Sequence, residues 1–153
     1  MLALLGLVAN AAPPSIGSVS ASAVEQPAGV VAAGTAAVPP YYVRDNRAAG
    51  PTVVITGGVH GDKPAGALAA DQIRHWPVTH GNLVVVLRAS VVALRADKRN
   101  MPGERAETTN LNRNFPKAKE AGPARGALAS TLWEFARQWP PVDGSLASTV
   151  FYR

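Results

Sequence analysis

The run Thr52-Val-Val-Ile-Thr56, bracketed by Gly50-Pro51 and Gly57-Gly58, most constrains what this chain can fold into. Apolar side chains on successive positions leave no solvent face, so the run suits a strand buried on both sides of a sheet. Pro64 can open a helix at its first turn. Leu68, Ala69, Ile73 and Trp76 then recur at helical spacing until Pro77 stops the pattern. His80-Gly81-Asn82 turns the chain into a second apolar run, Leu83-Val-Val-Val-Leu87. Strand, helix, strand in that order predicts parallel strands joined by a crossover. From Arg88 to Phe115 the sequence is irregular, polar and charged, and a loop of that length inside a compact domain is usually functional or disordered. Thr131 to Trp139 predicts a last helix, with Leu132, Phe135, Ala136 and Trp139 on one face and Pro140-Pro141 ending it.

A length of 153 residues has room for one modest domain. Ala, Pro, Gly, Ser and Val dominate from Ala11 to Pro40, where Glu25 is the only charge. That composition offers too little bulky apolar surface to offset the entropy of ordering, so 13–40 reads as a low-complexity linker and 41–141 as the folded part. Residues 1–12 are a candidate export signal. Met1 to Ala9 is apolar but too short to cross a bilayer, and Ala9-Asn10-Ala11 has the small-x-small form of a cleavage site. A charged leader is missing, so periplasmic or secreted is the expectation and a cytoplasmic protein with a mis-set start is the alternative. No other stretch is apolar and long enough for a membrane span. The absence of cysteine removes disulfides and thiolate zinc sites, which leaves any metal to histidine and carboxylate. The net charge of +5 is carried mainly by arginine, and Arg95, Lys98, Arg99 and Arg105 are interleaved with Asp97, Glu104 and Glu107. Aromatics are scarce there, which argues against a nucleic-acid partner. An electropositive cleft for a small anion and a plain solvated loop fit that segment equally well.

Two short motifs carry chemistry. Thr56-Gly-Gly-Val-His-Gly-Asp-Lys63 places a histidine on a glycine-rich turn at the end of the first strand, where open α/β sheets gather ligands. Its lysine does not make it a phosphate loop, because Asp62 and Pro64 hold the places where that loop needs glycine and Ser/Thr. Asn110-Leu-Asn-Arg-Asn-Phe-Pro116 sets an amide beside a guanidinium, a pair suited to gripping a carboxylate. Together the motifs resemble the zinc carboxypeptidase superfamily, in its succinylglutamate desuccinylase/aspartoacylase branch. That branch reads His-Gly-(Asp/Asn)-Glu at the first motif and Asp-Leu-Asn-Arg-x-Phe at the second. The chain departs from it at Lys63, in the glutamate ligand's place, and at Asn110, in the aspartate's.

The resemblance implies an α/β fold with a partial mixed, mainly parallel sheet flanked by helices, and an exposed sheet edge. It implies zinc as cofactor, with His60 as ligand and Asp62 as a stand-in for the lost glutamate, although Lys63 brings a cation with no lone pair to the same turn. Asn112 and Arg113 would bind the substrate's carboxylate, and Arg105 would polarise the scissile carbonyl, with Arg99 as its rival. His75, near a helix end, and His80, in a turn, are weaker ligand candidates. The implied activity is hydrolysis of an amide bond next to a carboxylate, in an N-acyl amino acid or a peptide C-terminus. The family's second histidine ligand and its glutamate base come later than this chain runs, since no histidine follows His80. The chain therefore resembles the N-terminal half of a family domain, with 142–153 a tail that leaves the pattern as a frameshift or early stop would. Truncated in this way it would be weakly active or inactive. The alternative is a non-catalytic binding module that keeps the Asn-Arg grip.

Overall fold

A computed structural model describes residues 27–31, 39–45, 49–116, 122–139 and 149–151. The candidate signal at 1–12 and most of the linker lie outside these residues. In chain order the elements are strands β1 (Gly29–Val30), β2 (Pro40–Asp45) and β3 (Thr52–Thr56), helix α1 (Ala65–Ile73), strand β4 (Asn82–Val86) and the short helix α2 (Val91–Arg95). A 3-10 turn (Leu111–Arg113), helix α3 (Ala127–Arg137) and strand β5 (Thr149–Phe151) complete them.

The strands form one sheet in the order β1-β2-β4-β3-β5. β3 runs parallel to β4 and to β5, while β2 is antiparallel to β4 and β1 antiparallel to β2. The sheet is thus mixed, with a parallel centre and antiparallel strands on one flank. Two of its strands come from segments with no strand signal. β1 lies inside the Ala/Pro/Gly/Ser stretch expected to be a linker, where Val31 is fully buried and the Val31 N–H donates to the Pro39 carbonyl at 2.8 Å. β5 lies in the tail expected to leave the family pattern, and its backbone pairs with Val54 to Thr56.

β4 explains the layering. Its side chains alternate between two apolar clusters, as a strand covered on both faces must. Leu83 and Val85 pack with Ala70 and Ile73 of α1. Val84 and Val86 pack on the opposite face with Ala93 of α2 and with Leu128, Leu132, Phe135 and Ala136 of α3. The loop leaving β3 leads to α1 on one face, and the loop leaving β4 leads to α2 and α3 on the other. Adjacent parallel strands whose outgoing connections diverge in this way open a crevice at their carboxyl ends.

The helices correct several expectations. α1 buries Ala67, Ala70 and Ile73, whereas Leu68 is 62% and Trp76 60% exposed. Small residues face the sheet because the helix passes so close to Gly57 that a Cβ there would come within 2.5 Å of the Gly66 carbonyl. α1 ends at Ile73, and bonds from His75 to Gln72 and from Trp76 to Ile73 tighten the chain before Pro77. α3 begins at Ala127, four residues ahead of the predicted start, because Gly126 at φ 78° sets the boundary and Leu128 and Ala129 already enter the core. The supposedly irregular stretch after Arg88 contains α2 and the 3-10 turn. Among the described residues no helix is long and apolar enough to cross a membrane.

Candidate functional site

The site begins where β3 ends. The parallel ladder continues past both strands: the Gly57 N–H donates to Val86, and the Ala89 and Ser90 N–H groups donate to Gly57 and Gly58, all between 2.8 and 3.0 Å. Gly58 sits at φ 65°, a conformation a side chain disfavours, and this bend lifts Val59 and His60 over the sheet end. Gly61 then meets the loop after α2. A Cβ on Gly61 would fall onto the Ala93 carbonyl, and the Gly61 N–H donates to the Lys98 carbonyl at 3.0 Å.

That docking holds His60. The side chain is 5% exposed, and Nδ1 lies 3.0 Å from the Arg99 carbonyl oxygen. A carbonyl can only accept, so Nδ1 carries a proton, an arrangement that leaves Nε2 as the atom with the lone pair whenever the ring holds a single proton. A backbone carbonyl fixing the tautomer of an imidazole in this way is a common arrangement behind histidine ligands. His60 lines a cavity of about 350 Å³ together with Asp62, Lys63 and the start of α1. Asp62 stands 3.9 Å from Nη1 of Arg99, with both side chains more than a third exposed, so the pair is loose and weakly held. The Lys63 N–H closes the turn on the His60 carbonyl at 3.3 Å, and its side chain is exposed.

The second motif occupies the neighbouring loop. Met101 and Thr109 clip that loop shut through Met101 N–H to the Thr109 carbonyl at 2.8 Å and Thr109 Oγ1 to the Met101 carbonyl at 2.9 Å. The Ser90 hydroxyl, fully buried, donates to the Met101 sulfur at 2.8 Å. Asn112 is half-buried and Arg113 is exposed, and neither side chain lines the cavity next to His60. Arg105 is also exposed. Its carbonyl accepts from the Thr108 and Thr109 N–H groups at 2.9 and 2.8 Å, so its backbone builds the turn. The fold therefore brings His60, Asp62, Lys63 and Arg99 into one turn, and sets Arg105, Asn112 and Arg113 on the next loop along. His75 and His80 are exposed, at the opposite end of α1 from the His60 turn.

Two contributors carried no sequence signal of their own role. Arg99 acts on His60 through its main-chain carbonyl, which any residue would supply. Asn114, 4% exposed, donates from Nδ2 to the Thr108 carbonyl at 2.6 Å and ties the 3-10 turn to the turn before it. Its place in the Leu-Asn-Arg-Asn-Phe-Pro string was the only hint.

The donor set is short for zinc. A catalytic zinc takes three protein ligands. Among the described residues no three His, Asp or Glu side chains come together, and His60 with Asp62 supplies two donors at most beside the Lys63 ammonium. The described residues alone do not fit the metal.

Comparison with known proteins gives the lineage. No curated protein matches the chain. Among solved structures, it is similar to an aspartoacylase family protein of Mesorhizobium loti, with 26% identity, 72% of this chain and 35% of that one covered, and a TM-score of 0.55. It is similar to the succinylglutamate desuccinylase/aspartoacylase of Rhodobacter sphaeroides, with 27% identity, 75% and 33% covered, and a TM-score of 0.51. The product-bound ectoine utilization protein EutE (DoeB) of Ruegeria pomeroyi is 30% identical over 67% of this chain and 29% of its own, with a TM-score of 0.50. The chain thus spans about a third of the length of these relatives. The model of the succinylglutamate desuccinylase/aspartoacylase catalytic domain matches residues 49–143, so the chain is a member of that family.

Proposed function

We propose that this chain forms one wall of a site for hydrolysis of an amide bond in a small carboxylate-bearing compound, such as an N-acyl amino acid. The carrying observation is the buried His60, held at Nδ1 by the Arg99 carbonyl and lining a cavity beyond the end of β3. Arg113 and Asn112 would hold the substrate's carboxylate, the guanidinium by paired charge-assisted bonds. Arg105 would reach from its turn toward the scissile carbonyl and steady the developing oxyanion. The names of the relatives, an aspartoacylase and a succinylglutamate desuccinylase among them, support an acyl amino acid as the substrate class. Zinc belongs to this reading only with donors beyond those described, so no step is assigned to it.

A second reading is a binding module that keeps the carboxylate grip without catalysis. Lys63 favours it, because an ammonium at the His60 cavity opposes a divalent cation. Metal content separates the two. On the hydrolase reading the protein takes up zinc near stoichiometry, and Lys63→Glu raises the affinity. If neither the protein nor Lys63→Glu retains zinc after dialysis, the hydrolase reading fails for this chain. Calorimetry with an N-acetyl amino acid tests the shared element. Arg113→Ala should weaken binding by about tenfold or more, the loss of one charge-assisted contact.

A further inference from the structure

A second crevice at the strand ends lies beside the His60 cavity, and neither motif contributes to it. It has a volume of about 450 Å³, within the range of small-molecule sites, and opens between α1 and α2 above the end of β4. Pro64, Leu68 and Leu94 give it apolar walls, and the 62% exposure of Leu68 leaves a large aliphatic side chain uncovered. Two arginines line it, Arg88 from the loop two residues past β4 and Arg95 from the end of α2. Neither has a hydrogen-bond or ion-pair partner among the described residues. Among the described lining residues the one acid, Asp71, is already taken by Arg74, whose Nε lies 2.7 Å from its Oδ1. Apolar walls with two guanidinium groups that have no partner among the described residues define the chemistry of an occupant.

We infer that this crevice binds a small organic acid, with the carboxylate between Arg88 and Arg95 and a hydrocarbon body against Leu68 and Leu94. A guanidinium fork matches a carboxylate in geometry and charge, and the two arginines come from the short loop between β4 and α2 and from the last residue of α2. The hydrocarbon body covers the aliphatic surface that water otherwise wets. A phosphate or a bare acetate satisfies the arginines and leaves the apolar walls unused. Pro64 borders both this crevice and the cavity next to His60, so an acid bound here adjoins the proposed hydrolase site. The binding itself does not depend on that site being active.

The test uses the full chain with hexanoate, hexanamide and acetate as probes, followed by calorimetry and by methyl NMR of the leucines. Hexanoate should bind saturably and shift the Leu68 and Leu94 methyl signals. Hexanamide, lacking the charge, and acetate, lacking the body, should each bind about tenfold or more weakly, the equivalent of one charge-assisted bond or one buried aliphatic patch. Arg88→Gln and Arg95→Gln should each cost hexanoate a similar factor. Both side chains are exposed, so circular dichroism should show the fold retained. Equal affinity for hexanamide, unchanged affinity in both glutamine variants, or no saturable shift at Leu68 and Leu94 overturns the assignment. Arg113→Ala serves as the control. It should leave hexanoate binding intact, and a loss there would move the acid to the second motif and overturn the crevice site. Because Arg113→Ala is also the variant that tests the acyl amino acid site, failure of either idea is read separately.

Discussion

At the scale of single residues, the site depends on how closely backbones approach. Gly61 has no room for a methyl group, since a Cβ would collide with the Ala93 carbonyl and lie 2.5 Å from that of Lys98. Gly61→Ala should therefore push the 98–101 loop outward, costing about 1–3 kcal/mol as an overpacked contact does. Urea unfolding measures that loss. The same variant should break the bond from His60 Nδ1 to the Arg99 carbonyl, and nitrogen NMR of the imidazole would then show a mixture of tautomers. A single Nδ1-protonated tautomer persisting in Gly61→Ala would show that the loop does not hold the ring. His60 itself was legible in the sequence, because a histidine on a glycine turn after an apolar strand has few structural duties. The carbonyl that orients it was not, because every residue carries one and only the folded loop says which one arrives.

At the scale of elements, α3 is the main cover of one sheet face. Leu132 is 2% exposed and sits in the cluster with Val84, Val86 and Phe135. Leu132→Ala should destabilise the protein by about 2–5 kcal/mol, the usual cost of removing a buried leucine and leaving a cavity. Thermal or urea unfolding checks it, and a change well under 1 kcal/mol would mean that α3 is loosely seated. Phe135 also packs between Tyr41 of β2 and Trp139, tilted on the first and edge-on to the second with centroids at 4.8 and 6.1 Å, so Phe135 and Trp139 do face inward. The apolar period located α3 and its face correctly. It was a poorer guide at α1, where Leu68 and Trp76 belong to the apolar spacing yet are exposed, and Ala67, Ala70 and Ile73 face the sheet. Period reports that a face exists, whereas the distance between helix and sheet decides whether large or small residues fill it.

At the scale of the whole molecule, the two edges of the sheet are formed by strands from opposite ends of the described chain, β1 and β5. β5 pairs with β3 and leaves that central strand with neighbours on both sides. A chain ending at residue 148 should expose the β3 edge and self-associate, since a bare strand edge is a template for pairing. Light scattering at rising concentration tests this, and an unchanged monomer would show that β5 does not shield the edge. The strand–helix–strand order, both motifs and the family followed from the sequence alone, because apolar runs and glycine turns are local patterns. Tertiary structure alone decided the rest. It recruited β1 and β5 from segments without strand character, since backbone pairing asks little of the side chains at a sheet's rim. It left Asn112 and Arg113 off the described lining of the His60 cavity and set Arg88 and Arg95 into a common crevice, because which side chains share a hollow depends on where distant loops pack.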